Sequence, residues 1–164
     1  MLHGSLIGRV TSAPRVPPSP GGLVFSVSVG NSILDVLVTR ELANKARRQI
    51  TPQCDVFVQI GHMHPGFLVA IAFDLVTPGS LPLNMFNLAG RVSSWPEERQ
   101  GELRVRLCVN AADAPATIAL TAPQHLHWLG SLQIGHSVQV IGELLRIDES
   151  LVMTATRVER LFRA

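Results

Sequence analysis

The chain has no tyrosine, aromatic residues are only 5% of its 164 positions, and Lys45 is the single lysine among fourteen cationic side chains. Two cysteines are present, Cys54 and Cys108, far apart in sequence. Each scarcity excludes something. Two isolated thiols do not make a disulfide framework or a thiolate metal centre, and they read as reduced core residues of a cytoplasmic protein. No apolar run approaches the roughly 20 residues of a membrane-spanning helix, and the sequence is read as having no basic-plus-apolar leader. The expectation is therefore no membrane contact. Charged residues reach only 16%, while apolar ones make up 46%, a balance that argues against disorder. It also suggests more apolar surface than small cores can hide, so a homo-oligomer is expected.

Chemistry that depends on spacing is equally scarce. There is no glycine-rich phosphate loop and no nucleophile elbow. His62 and His64, like His125 and His127, have an H-x-H spacing, but a third ligand at a usual distance is missing, so loop histidines are expected rather than zinc. No metal, no cofactor and no enzymatic activity are expected. The net charge is +2, made of thirteen arginines and one lysine against twelve acids. The first half carries six cations and four acids, the second eight of each. This is no polybasic tail, so an anionic partner would have to be read by a local arginine-bearing face.

What is present is repetition. Residues 6–12 read "LIGRVTS" and residues 88–94 read "LAGRVSS", an echo at an offset of 82. At the same offset Val36 and Val38 fall on Ile118 and Leu120, and Val56 and Val58 fall on Val138 and Val140. "LVFSVSVGN" matches "LRVRLCVNA" at an offset of 80. A recurring period is the signature of one structural unit used twice.

Each copy gives the same order of signals. A short strand carrying a glycine comes first, then a loop ("TSAPRVPPSPGG" in one copy, "SSWPEERQGE" in the other) rich in turn residues. A strictly alternating second strand follows, with Leu23, Phe25, Val27 and Val29 on one face, matched by Leu103, Val105, Leu107 and Val109. A third strand leads into a helical segment, "TRELANKARR" in the first copy, with Thr39 as its cap, and "APQHLHWLG" in the second, with Pro123 in its first turn. Two further strands close each copy as a hairpin. Five strands with a helix between the third and fourth is the layout of the OB-fold, a small Greek-key barrel. The expectation is an all-β chain of two tandem OB-folds, residues 1–77 and 86–164, joined by a linker over residues 78–85. One ten-stranded barrel or sandwich is the competing architecture.

The stretch "GRVTSAPRVPPSPGGLVFSVSV" resembles the opening of bacterial single-stranded DNA-binding proteins, through Gly8, Pro14, Arg15, Gly21, Gly22, Phe25, Ser26 and Val27. "IGHSVQVIGEL" is similar to that family's stretch before the final hairpin, through Gly135, Val138, Val140 and Gly142. Primosomal replication protein N, a relative of the same fold, shares these features. The resemblance implies OB-folds, single-stranded DNA as ligand, and work in replication, repair or recombination alongside other proteins of those processes. It also implies an assembly of four OB-folds, which a dimer of this chain supplies. Three departures stand out: short hairpins between strands two and three ("GNS" and "NAADAPA"), no aromatic opening strand three, and "VERLFRA" where the family has an acidic tail.

Holding a single strand without sequence preference takes cations for the phosphates and flat side chains for the bases. Arg9 and Arg91 hold the same place at the end of the first strand of each copy. Arg104 and Arg106 alternate with core residues, so they share an outward face, either meeting phosphates or pairing with acids such as Glu102. The first copy has Val24, Ser26 and Ser28 there, without a cation, which reads as a face for packing against another subunit. Its other candidate cations are Arg15 in the loop and Lys45, Arg47 and Arg48 near the helix end, where positive charge also suits the helix dipole. Trp95 is the leading stacking candidate, and Phe57 is a second, out of phase with its buried neighbours. Phe25 and Phe73 read as core, and Trp128 as a lid over it. Two functions follow: a protein that binds single-stranded DNA, with RNA also open because OB-folds serve both, or an OB-fold adaptor that binds proteins in a DNA-processing complex.

Overall fold

Alternating apolar residues become strands because one face of each can be buried while the other stays in water. The structure, a computed structural model, describes residues 1–18, 21–64, 66–99, 102–110, 115–123, 129–148 and 150–161. Its elements are β1 (Leu2–Val10), β2 (Leu23–Val29), β3 (Ser32–Val38), α1 (Arg40–Gln49), β4 (Asp55–His64) and β5 (Phe67–Leu75), then β6 (Leu83–Val92), β7 (Glu97–Arg99), β8 (Glu102–Asn110), β9 (Pro115–Pro123), β10 (Ser137–Ile147) and β11 (Ser150–Leu161). The chain divides into two compact units, His3–Asn84 and Met85–Ala164, the latter with Met1–Leu2.

In the first unit the strands run in the order β2-β3-β5-β4-β1, and β1 returns to pair with β2. That closure works because Gly8, with no side chain, lets β1 approach β2 closely. A Cβ at that position would lie 2.3 Å from the Ser28 carbonyl oxygen, closer than any side chain tolerates. Downstream of this glycine, Arg9 and Val10 pair with Ser28 and Val27 on β2, while Arg9 also sits opposite Asp55 on β4. Two residues, 30 and 31, connect β2 to β3, and Gly30 takes the left-handed conformation (φ 56°) that such a tight hairpin asks of its first loop residue. Inside the barrel the rings of Phe25 and Phe73 meet edge to face, 6.2 Å apart. Both are buried, and each contributes about 1.5–3 kcal/mol by leaving water.

The second unit repeats the plan. β6, β10, β11, β9 and β8 follow one another, and β6 returns to β8 through Arg91 opposite Cys108 and Val92 opposite Leu107. Phe86, Leu88, Leu107, Ile118, Val140 and Met153 form its buried centre. In both units the pairing of the third strand with the fifth is parallel, β3 with β5 and β9 with β11. Each set of five strands closes on itself, so the architecture is two tandem OB-folds and not one ten-stranded barrel.

Several local expectations are corrected. The loop "SSWPEERQGE" is more than a turn: Glu97–Arg99 forms β7, paired with the start of β8. Thr39 holds the N-cap position of α1, but its side chain makes no capping bond. Arg40, left-handed at φ 51°, turns the first helical residue out of the geometry in which a hydroxyl reaches the N–H groups of the first turn. Pro123, expected in the first turn of a helix, is the last residue of β9. Gln124, His125, Leu126, His127 and Trp128 lie outside the described residues, so the expected second helix and the Trp128 lid fall there. Among the described residues no helix is long and apolar enough to cross a membrane.

Candidate nucleic-acid interface

The outward face of the second strand of each barrel carries the residues that the sequence singles out. On β8 these are Arg104, Arg106 and Cys108, successive outward positions roughly 6.6 Å apart along a strand. Each has a neighbour on the side away from β9. Cys108 lies opposite Arg91 on β6, and Arg104 lies opposite Glu97 on β7. Between them, the segment after β6 is stitched to β8 at Arg106. The Ser93 N–H and hydroxyl both donate to the Arg106 carbonyl (2.8 and 3.1 Å), and the Arg106 N–H donates to Ser94 Oγ (2.9 Å). This stitch fixes the start of the loop from which Trp95 projects, 63% exposed. Ser94, Glu97, Arg104, Val105, Arg106 and Ala119 line the cleft so formed.

Three guanidiniums therefore share one stripe, but their surroundings differ. Arg104 is half-buried and its Nη2 lies 3.8 Å from Glu102 Oε2, the acid pairing anticipated as its alternative role. Its Nε is buried without a hydrogen-bond partner. Arg106 is exposed and faces Ala119 on β9. Arg91 is exposed and sits between Cys108 on β8 and Ser137 on β10, where it lines a second cleft with Gly90, Cys108, Ser137 and Leu161. Among the described residues no acid pairs with Arg91 or Arg106.

The first unit uses the same stitch for a different surface. The Thr11 N–H donates to the Ser26 carbonyl (2.9 Å), and the Ser26 N–H donates to Ser12 Oγ (3.1 Å). Ser26 stands where Arg106 stands, and its hydroxyl is 2.6 Å from Asp35 Oδ1, the residue opposite it on β3. Val24 stands where Arg104 stands, buried with Leu37, Val69 and the half-buried Phe67. Where packing against another subunit is expected of this face, the partners of Val24 come from the same barrel. Arg15 bridges to Val24 through two backbone hydrogen bonds of 2.9 and 2.8 Å, leaving its side chain exposed.

Arg9, the counterpart of Arg91, is held. Its Nε donates to Asp55 Oδ1 at 2.9 Å and its Nη2 to Oδ2 at 3.3 Å, while the Gly79 N–H donates to Oδ2 at 2.7 Å. The Asp55 side chain is 7% exposed. Its carboxyl is held below the usual carboxylate value, first by the hydrogen bond from Arg9 and then by that from Gly79. Hydrogen bonding to Asp55 raises Arg9 in turn.

The remaining candidates are scattered. Lys45 lies within α1, where its Nζ donates to the Phe73 carbonyl (2.5 Å) and to Asp74 Oδ1 (2.7 Å), 4.6 Å from the centre of the Phe73 ring. Arg47 and Arg48 are exposed in the last turn of α1, with Arg48 Nε donating to the Asn44 carbonyl. Phe57 is half-buried on the outer side of β4, between Ile7 on β1 and Asp74 on β5. Spacing alone missed Ser93, Ser94, Ser137 and Ala119. The offset of 82 does set Ser137 against Asp55 and Glu97 against Arg15, which is the signal that could have found the difference between the copies. No group of three or more metal-ligating side chains is found among the described residues.

No family model and no curated protein matches the chain. Solved structures do. A deletion mutant of the single-stranded DNA binding protein from Thermus aquaticus superimposes with a TM-score of 0.80 at 20% identity, covering 100% of this chain and 96% of that one. The wild-type protein from the same organism gives a TM-score of 0.77 at 20% identity, covering 100% and 94%. At this identity the likeness is one of fold: the chain shares, along its whole length, the fold of a bacterial single-stranded DNA-binding protein.

Proposed function

We propose that the chain binds single-stranded nucleic acid through the outer face of β8, without sequence preference. The observation that carries this reading is the stripe formed by Arg91, Arg106 and Arg104 beside the exposed Trp95. Cations on a strand, and an exposed aromatic ring on the loop stitched to that strand, are the combination such binding needs. The fold shared with the Thermus aquaticus proteins supports it. DNA is the expected ligand, in replication, repair or recombination, and the protein acts as a binding component rather than an enzyme. Two chains would bring together four OB-folds, a proposal that light scattering of the purified protein tests.

The binding test is fluorescence anisotropy of labelled oligo-dT and oligo-rU at two salt concentrations. Micromolar or tighter affinity for oligo-dT that weakens with salt supports the reading. Equal affinity for oligo-rU extends the ligand to RNA. No binding at low salt overturns the reading in favour of a protein-binding adaptor.

A further inference from the structure

We infer that the two barrels are functionally unequal, and that a bound strand is held by the second barrel alone. The inference rests on the nucleic-acid reading above and specifies which copy of the fold performs it.

Matched positions can be compared on two surfaces built on the same backbone stitch, and every pair but Arg15 and Glu97 favours the second barrel. Where the second barrel has Trp95, one residue beyond the stitching Ser94, the first has Ala13 beyond Ser12. Arg106 is replaced by Ser26, and the apolar Ala119 opposite it by Asp35, which the Ser26 hydroxyl contacts at 2.6 Å. The row Arg104, Thr121 and Thr154, polar and with the two threonine hydroxyls 3.4 Å apart, becomes Val24, Leu37 and Val69, an apolar cluster with no hydroxyl to offer.

Arg91 beside Ser137 becomes Arg9 locked onto Asp55. A phosphate approaching the first barrel would meet the Asp35 carboxylate, and it would have to compete with Asp55 for Arg9. Both terms oppose binding, because an anion placed beside an existing carboxylate is repelled and a guanidinium already paired with a carboxylate has fewer donors and less uncompensated charge to offer. The stacking platform, worth about 1–3 kcal/mol per base, is also missing at the matching position.

The test uses the full wild-type chain and oligo-dT carrying 5-iodouracil, with photo-crosslinked peptides mapped by mass spectrometry. Crosslinks confined to the second unit, Met85–Ala164, are expected, centred on Trp95 and β8. Alongside, Arg106→Ala is expected to weaken oligo-dT binding about tenfold, equivalent to roughly 1.4 kcal/mol, while Arg15→Ala changes it by less than about twofold. Crosslinks shared equally between the units, or matching losses from the two variants, overturn the inference and leave the nucleic-acid reading standing. Failure of the wild-type chain to bind oligo-dT at low salt overturns the nucleic-acid reading, and this inference with it.

Discussion

Arg9 and Asp55 grip one another through two hydrogen bonds across β1 and β4, while the matching pair in the second barrel is Arg91 and Ser137. A single exchange of acid for hydroxyl thus leaves one arginine paired with a carboxylate and the other without an acid partner among the described residues. Asp55 also accepts from the Gly79 N–H, so the first barrel holds the segment that follows β5 through the same carboxylate.

This pair makes the stability of the first barrel depend on pH in a defined direction. The Asp55 carboxyl is held below its usual value, so the folded state favours the ionised form. The stabilisation is present above the unfolded value of about 3.9 and is lost as pH falls through the lower folded value. Thermal melts are expected to show the Tm of Asp55→Asn below that of wild type at pH 7, with the difference shrinking below about pH 4. A gap that stays constant down to pH 2 contradicts this role.

Closing of the barrel at Gly8 makes a second expectation. A methyl group added there would meet the Ser28 carbonyl at 2.3 Å, whereas at Gly90 the corresponding contact with the Cys108 carbonyl is 3.1 Å. Backbone on both sides must shift in the first case and give only slightly in the second. Gly8→Ala is expected to lose about 3 kcal/mol or more in urea denaturation, and Gly90→Ala about 1 kcal/mol. Equal losses would show that β1 does not depend on this glycine for its close approach.

How much of this was legible in the sequence depends on the range over which each signal acts. The strands declared themselves through alternation of Leu23, Phe25, Val27 and Val29, a period set by neighbouring residues, and the offset of 82 exposed the duplication. The apolar positions Phe25 and Phe73 were read correctly as core. Short-range signals still failed where tertiary bonding outweighed local preference: Thr39 has the right identity for a cap and makes no capping bond, and Glu97–Arg99 is a strand through its pairing with β8. The Arg9–Asp55 pairing was invisible for another reason. The pairing of β1 with β4 brings together residues 46 positions apart, and an arginine looks the same in sequence whether it is paired or free.

The stitch at Ser94 gives a third prediction, which separates fold from function. Ser94 Oγ accepts from the Arg106 N–H and anchors the loop bearing Trp95. Ser94→Ala leaves that N–H without its partner at a cost of about 1 kcal/mol, and the loop loosens while the barrel remains. Circular dichroism is expected to be unchanged and oligo-dT affinity to fall about threefold to tenfold. Unchanged affinity would mean that the position of Trp95 contributes nothing to binding.

Core packing supplies a fourth. The rings of Phe25 and Phe73 fill the centre of the first barrel edge to face, and Phe73 also lies under the Lys45 ammonium group. Phe25→Ala is expected to cost about 3–5 kcal/mol, enough to unfold a small barrel at moderate temperature. Lys45→Ala removes an exposed ion pair with Asp74 together with a cation–ring contact, and is expected to cost about 1 kcal/mol without altering oligo-dT affinity.

The most direct test of the account is the salt dependence of oligo-dT affinity, compared between wild type and Arg106→Ala. Each phosphate contact with a single strand adds about 0.7 to the steepness of log K against log salt. The variant is expected to show a slope shallower by about that amount, with weaker binding at every salt concentration. An unchanged slope and affinity would place the nucleic acid elsewhere on the molecule and remove the outer face of β8 as its binding surface.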